Sequence, residues 1–218
     1  LRLTPLLAAG LAVGPAFAGT ISGRVELIEK GGRRKSDLSE VVVYVDGAAT
    51  RPKPAAATMV MKGKSFSPHV VVIPVGGSVE FPNQDPIFHN VFSVSGPNRF
   101  DLDLYKRPKS GSWTFQHAGV ARVYCNIHPQ MSAVVVVRDN PYYALAKADG
   151  SFSIDAVPAG RVALKAWHER GGEASVDVDV PAEGSVAATL LTLDASSFKR
   201  VQHKNKFGKD YSAGEEKY

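Results

Sequence analysis

Cys125 is the only cysteine in the 218-residue chain, so its value lies in burial, reactivity or metal binding rather than in an internal disulfide. It opens the run Cys125-Asn126-Ile127-His128-Pro129-Gln130-Met131, which spaces a thiolate, an imidazole and a thioether three residues apart on one short loop. Such a loop can aim a soft sulfur, an imidazole nitrogen and a weak axial sulfur at one point. A trigonal His, His, Cys set with a long Met contact is how proteins hold copper for electron transfer. The second imidazole must come from elsewhere, and His89 is the candidate. The segment SVEFPNQDPIFHNVFSV (78–94) reads as strand, turn, strand, which sets His89 at a strand edge beside a loop. Taken singly, a free cysteine usually just packs in a core, and a histidine beside a proline is usually a loop residue. The order of all four, His89, Cys125, His128 and Met131, favours a metal site.

The other histidines, His69, His117, His168 and His203, have no second ligand at metal-binding spacing and read as structural or solvated. Met59 and Met61 alternate along a strand, which is one-face packing. With no nucleophile elbow, phosphate-binding glycine loop or carboxylate pair, the sequence assigns no catalytic residue and no enzymatic role.

The F-x-P start at Phe66, Asn83 and Asp85 before the first ligand, His89-Asn90-Val91, and the ending Tyr124-x-Cys125-x-x-His128-x-x-Met131 resemble the cupredoxins, the blue copper proteins, over roughly 58–138. The loop is similar to that of the amicyanin variant, since Ala133 stands where a longer loop carries its methionine. The resemblance implies a Greek-key β-sandwich holding one type 1 copper, with Cys125, His89 and His128 equatorial and Met131 axial. It also implies that Asn90 ties the two ligand loops together. His128 would lie nearest solvent, ringed by Pro86, Ile87, Ile127 and Pro129.

The first residues, LRLTPLLAAGLAVGPAFAGT, carry Arg2 as their only charge, an apolar run and a small-x-small site at Ala16-Phe17-Ala18. This is the pattern of a secretory signal peptide over 1–18, too short to span a bilayer as a helix. It predicts a periplasmic protein with no transmembrane segment, and about 200 residues remain for one large or two small cores.

Elsewhere the pattern is all-β. Ile21, Gly23, Val25 and Leu27 alternate with Ser22, Arg24 and Glu26, and Val176, Val178 and Val180 alternate with Asp177 and Asp179, the two-residue period of half-buried strands. Asp149-Gly150, Pro158-Ala159-Gly160 and Gly171-Gly172 are turn signals. GTISGRVELIEK and VVVYVDG resemble the opening of a carboxypeptidase-regulatory-like, transthyretin-like sandwich, and ADGSFSIDAVPAGRVALKAWHE resembles its middle. The expected organisation is therefore a cupredoxin domain at 52–140 inserted into a discontinuous second sandwich, 19–51 with 141–195. RPKPAAAT (51–58) and RDNPYY (138–143) read as proline-restrained linkers. The rival arrangement adds the first two strands to the copper module and leaves two domains in series.

The formal charge of +5 falls by one if Arg2 leaves with the leader, and much of the remainder sits in a basic tail, 196–218. There Lys199, Arg200, Lys204, Lys206 and Lys209 occur without an acid over 199–209. A solvated tail is the plain reading; the functional one is weak contact with an anionic surface or steering toward an acidic partner. Export argues against nucleic acid. The cupredoxin resemblance, which in methylamine-utilisation proteins serves periplasmic dehydrogenases, implies a single-electron carrier working with a redox protein such as a c-type cytochrome or a periplasmic dehydrogenase. The alternative is a copper storage, delivery or structural interaction protein.

Overall fold

The computed structural model describes residues 18–187 and 190–211; the expected leader falls outside these except for Ala18, which opens the first strand. The described chain is almost entirely β, with two short 3-10 turns.

Strand Ala18–Ile28 buries Ile21, Val25 and Leu27 on one face, as its two-residue period requires. It pairs antiparallel with Ser151–Pro158 and parallel with Ser185–Ala187 and Leu191–Asp194. Opposite it lies a second sheet in the order Tyr143–Leu145, Val42–Asp46, Gly160–His168, Gly172–Val180. Its Val43, Val45, Leu164 and Ala166 close one continuous core with Ile21, Leu27, Phe152 and Leu193. The strands from 18–46 thus take their partners from 143–194. Gly150 shows why the turn after Asp149 needs glycine. Its φ is +84, and a Cβ there would meet the Val25 carbonyl oxygen at 2.4 Å.

Residues 56–138 build two larger sheets and a small hairpin, Val60–Met61 with Phe66–Ser67, around their own core. One runs Val70–Pro74, Ser132–Arg138, Gly119–Tyr124, His89–Ser93, Phe100–Tyr105; the other runs Ser110–Thr114, Ser78–Pro82, Ala56–Thr58. Phe81, Phe100, Phe115, Met59 and Met61 fill the space between them. The proline-rich stretch expected as a linker contributes a strand, because Ala56–Thr58 completes a parallel ladder against Ser78–Glu80. Tyr143 likewise begins a ladder with Tyr44.

Strand Ser132–Arg138 is an unbroken valine run buried on both faces, the signature of a strand covered on two sides. Val135 and Val137 face the core of the 56–138 sandwich, while Val134 and Val136 join Val70, Val42 and Tyr44 in a seam between the sandwiches. Polar bonds frame that seam. His69 Nε2 is 2.7 Å from Glu169, Arg122 reaches the other oxygen of Glu169 at 3.1 Å, and the Arg138 guanidinium lies 3.6 Å over the Tyr44 ring.

Candidate metal centre

The two ligand-bearing segments meet because adjacent strands deliver them. His89 is the first residue of its strand, and Cys125 follows the last residue of Gly119–Tyr124, which pairs with it through Tyr124 and Phe92. The loop then closes on itself: Met131 N donates to the His128 carbonyl at 3.0 Å and Cys125 N to the Met131 carbonyl at 3.3 Å. Crossing from Ser78–Pro82 in one sheet to His89–Ser93 in the other carries the 83–88 turn over the same end.

His89, Cys125 and His128 each offer a ligand atom, and these lie within 4.8 Å of one another in a buried setting. The two Nδ1 atoms are 3.0 Å apart, and Cys125 Sγ is 3.6 Å from His128 Nδ1. Met131 is fully buried in the core that also holds Cys125. Burial pushes the Cys125 thiol above its ordinary pKa, against the backbone N–H groups of Asn90, Ile127 and His128. A soft cation would displace that proton and be held by the thiolate. A sulfur and two imidazoles with a thioether in the same core suit copper better than a hard cation.

Behind the donors lies a ring of hydrogen bonds. His89 Nε2 is 2.8 Å from Asp85 Oδ2, which leaves Nδ1 turned to the cluster and fixes the tautomer. Asp85 is anchored by the Gly63 and Lys64 amides at 2.8 and 2.9 Å. Both donors sit in left-handed backbone, φ 62 and 54, in the tight turn closed by Lys62 N and the Ser65 carbonyl. Burial raises the Asp85 carboxyl, but the Lys64, His89 and Gly63 bonds together outweigh it and hold the pKa below the ordinary value. Asn83 shapes the turn by donating to the Ile87 and Tyr105 carbonyls. Asn90 accepts from Asn126 N at 3.3 Å, donates to Asp101, and sends its own amide toward Cys125 Sγ at 3.4 Å. It therefore joins the two ligand loops, as its resemblance implied.

His128, at 2 % exposed, is the donor nearest solvent, the other three being 0 %, but it too is nearly covered. One expectation changes: the described part of the tail is not simply solvated, for it folds back over the ligand loop. Tyr211 Oη donates to the Cys125 carbonyl at 2.7 Å, Lys206 N donates to Asn126 Oδ1 at 2.9 Å, and Lys206 Nζ pairs with Asp101 at 2.6 Å. The His203 ring stacks on Tyr124 at 4.0 Å and meets Tyr211 edge-on at 5.2 Å. The signal for this was present in the aromatic residues spaced through the basic run, but the lysine count obscured it. His69 and His168 stand apart from the metal cluster, in the seam and beside Glu40. His117 contributes its carbonyl to Asn98.

No family model and no curated protein matches the chain. Among solved structures, a copper-containing nitrite reductase from Thermus scotoductus is 34% identical over 42% of this chain and 24% of its own, with a TM-score of 0.36. This chain therefore spans about a quarter of that reductase. A purple cupredoxin from Nitrosopumilus maritimus is 24% identical over 38% of this chain and 99% of its own, TM-score 0.34. A reduced amicyanin variant is 28% identical over 38% of this chain and 82% of its own, TM-score 0.35. With TM-scores this low, the likenesses carry no argument by themselves, and the case for the site rests on its donors.

Proposed function

We propose that this chain is an exported copper protein of cupredoxin type that carries single electrons. His89 Nδ1, Cys125 Sγ and His128 Nδ1 would hold the metal, with the Met131 thioether as a weaker fourth donor. Copper bound there supplies a one-electron couple. The observation that carries this reading is the convergence of two imidazoles and one thiol in a buried cradle whose ring orientation is already fixed by Asp85 and Asn90. A cradle fixed by bonds within the protein changes little between oxidation states, so an electron enters and leaves with small rearrangement.

The wider organisation fits a carrier module, 52–140, lodged in a discontinuous sandwich of 19–51 and 141–195, and the pairing of the first two strands with those after Tyr143 supports it. The carboxypeptidase-regulatory-like reading of that host sandwich rests on its turns. Export to the periplasm rests on the leader-like segment, and a c-type cytochrome or a periplasmic dehydrogenase is the class of partner such a carrier would serve. We read the protein as non-enzymatic.

One observation favours the storage or delivery alternative: His128 is covered rather than edge-exposed. Adding copper(II) to the purified protein separates the two. An intense visible thiolate-to-copper band, absent in Cys125→Ala and bleached and restored over repeated redox cycles, is expected of the carrier. A colourless complex, or binding of copper(I) alone, would establish storage instead.

A further inference from the structure

His128 is the donor nearest solvent yet only 2 % exposed, so the outer face of the site is formed by what covers it. The segment that covers this end is His203–Tyr211. It is linked to the thiolate-bearing residue twice: Tyr211 Oη is hydrogen-bonded to the Cys125 carbonyl, and His203 stacks on Tyr124, the covalent neighbour of Cys125. Both links are short routes from the sulfur toward the surface. The outer side of the same segment is basic and apolar. Over 199–211 there are five Lys or Arg residues and one acid, Asp210. Phe207 is 71 % exposed, Val201 84 %. Lys206 is spent on Asp101, while Lys204 and Lys209 are exposed. The turn after Phe100–Tyr105 adds Lys106 over the partly exposed Phe88 ring, together with Arg107 and Lys109.

We propose that residues 203–211 are the docking face of this metal site, recognising an acidic redox protein whose contact patch is apolar at its centre, and that electrons pass through this strap. The inference rests on the electron-carrier reading above and deepens it. Charge complementarity selects the partner class, since a field of one sign at the exit face raises the encounter rate with the opposite sign and falls with salt. The apolar side chains among the lysines supply the contact after encounter.

The test compares charge reversal on the strap, Lys204→Glu/Lys209→Glu, with a matched reversal on the other sandwich, Lys30→Glu/Lys147→Glu. All four side chains are exposed. The reduced, copper-loaded protein is mixed with hexacyanoferrate(III), which takes one electron and becomes hexacyanoferrate(II), and separately with the cationic tris(phenanthroline)cobalt(III), which becomes cobalt(II). The strap variant should lose roughly fivefold or more in rate with the anionic oxidant and gain with the cationic one. The distant variant should change both far less, with the visible band and potential the same in all proteins. Equal effects from the two reversals would reduce the result to net charge and overturn the proposal. Unchanged rates together with loss of binding to anionic phospholipid vesicles would overturn it in favour of a membrane contact. If the unaltered protein shows no reversible visible band, the carrier reading itself fails, a result distinct from equal rates in a protein that does cycle.

Discussion

The two imidazoles of the site are secured in opposite ways. His89 is held from behind by a buried carboxylate, itself fixed by two amides of a tight turn, so its orientation is built from the protein interior. His128 and Cys125 lie on a loop that closes with two backbone bonds and is then covered by a segment more than 70 residues further along the chain. The first arrangement cannot open without breaking a core. The second can in principle be loosened at its cover while the cradle persists. An interior anchor therefore serves ligand geometry, and a peripheral strap serves access.

The largest effect should come from the interior anchor. Asp85→Ala leaves His89 Nε2 and the Gly63 and Lys64 amides without their acceptor. At about 1–3 kcal/mol for an unsatisfied buried group, partly relieved by water, urea unfolding should show a loss of about 3 kcal/mol. Asp85→Asn, which keeps an acceptor and removes the charge, should lose less stability yet raise the reduction potential, because a negative charge behind His89 favours the more positive metal. An unchanged potential in Asp85→Asn would make the carboxylate a packing element only.

Loosening the strap should cost less. Tyr211→Phe keeps the ring and removes the hydroxyl's two hydrogen bonds, to the Cys125 carbonyl and the His203 ring, at about 1 kcal/mol each. Its mark should be faster amide hydrogen exchange in Asn126–Met131 at nearly unchanged global stability. If exchange accelerates equally at His89–Ser93, the two sides are one unit and the contrast fails.

The smallest effects concern pH, and they run in opposite directions. Burial holds His203 below its ordinary value of 6.5, against the backbone bonds at Lys204 and Pro129. The groups facing it are Tyr124, Tyr211 and the backbone of Lys204 and Pro129, none of them a carboxylate. Its docking is complete above about pH 6.5 and weakens as pH falls through the depressed value. In the seam, the Glu169 bond raises His69 above 6.5 despite burial, and the His69 bond lowers Glu169 below 4.5. The His69 contribution is complete below about pH 6.5 and is lost as pH rises through the raised value, while that of Glu169 is lost in acid. From pH 7.5 to 5.5, then, protection factors in the ligand loop, which correct for slower intrinsic exchange in acid, should fall as the stability gap between the unaltered protein and Glu169→Gln widens. Movement of both in one direction would contradict the assignment.

These contrasts also explain what could be read from the residues alone. Cys125, His128 and Met131 share one loop, so their spacing is visible in the chain, and His89 is marked by the strand, turn, strand reading of 78–94. The alternating segments and the doubly buried valine run of 134–137 reveal strands for the same local reason. Asp85 is visible as a residue but not as an anchor, because its partners Gly63 and Lys64 come from a hairpin about twenty residues upstream. Ala56–Thr58 is hidden because alanine has little strand preference, and only the available edge at Ser78–Glu80 makes it extended. The strap is hidden because its lysines read as solvated charge, whereas His203, Tyr211, the Lys206 amide and the Lys206–Asp101 pair attach it to residues about 80 to 105 positions upstream.

We propose that His89, Cys125 and His128 form a rigid one-electron site, and a potentiometric titration of the copper-loaded protein, followed at its visible band, tests this directly. A single reversible one-electron curve, the same in the oxidising and reducing directions, is expected, with no band in Cys125→Ala. Hysteresis, irreversible copper loss on reduction, or a band that survives removal of Cys125 would contradict it.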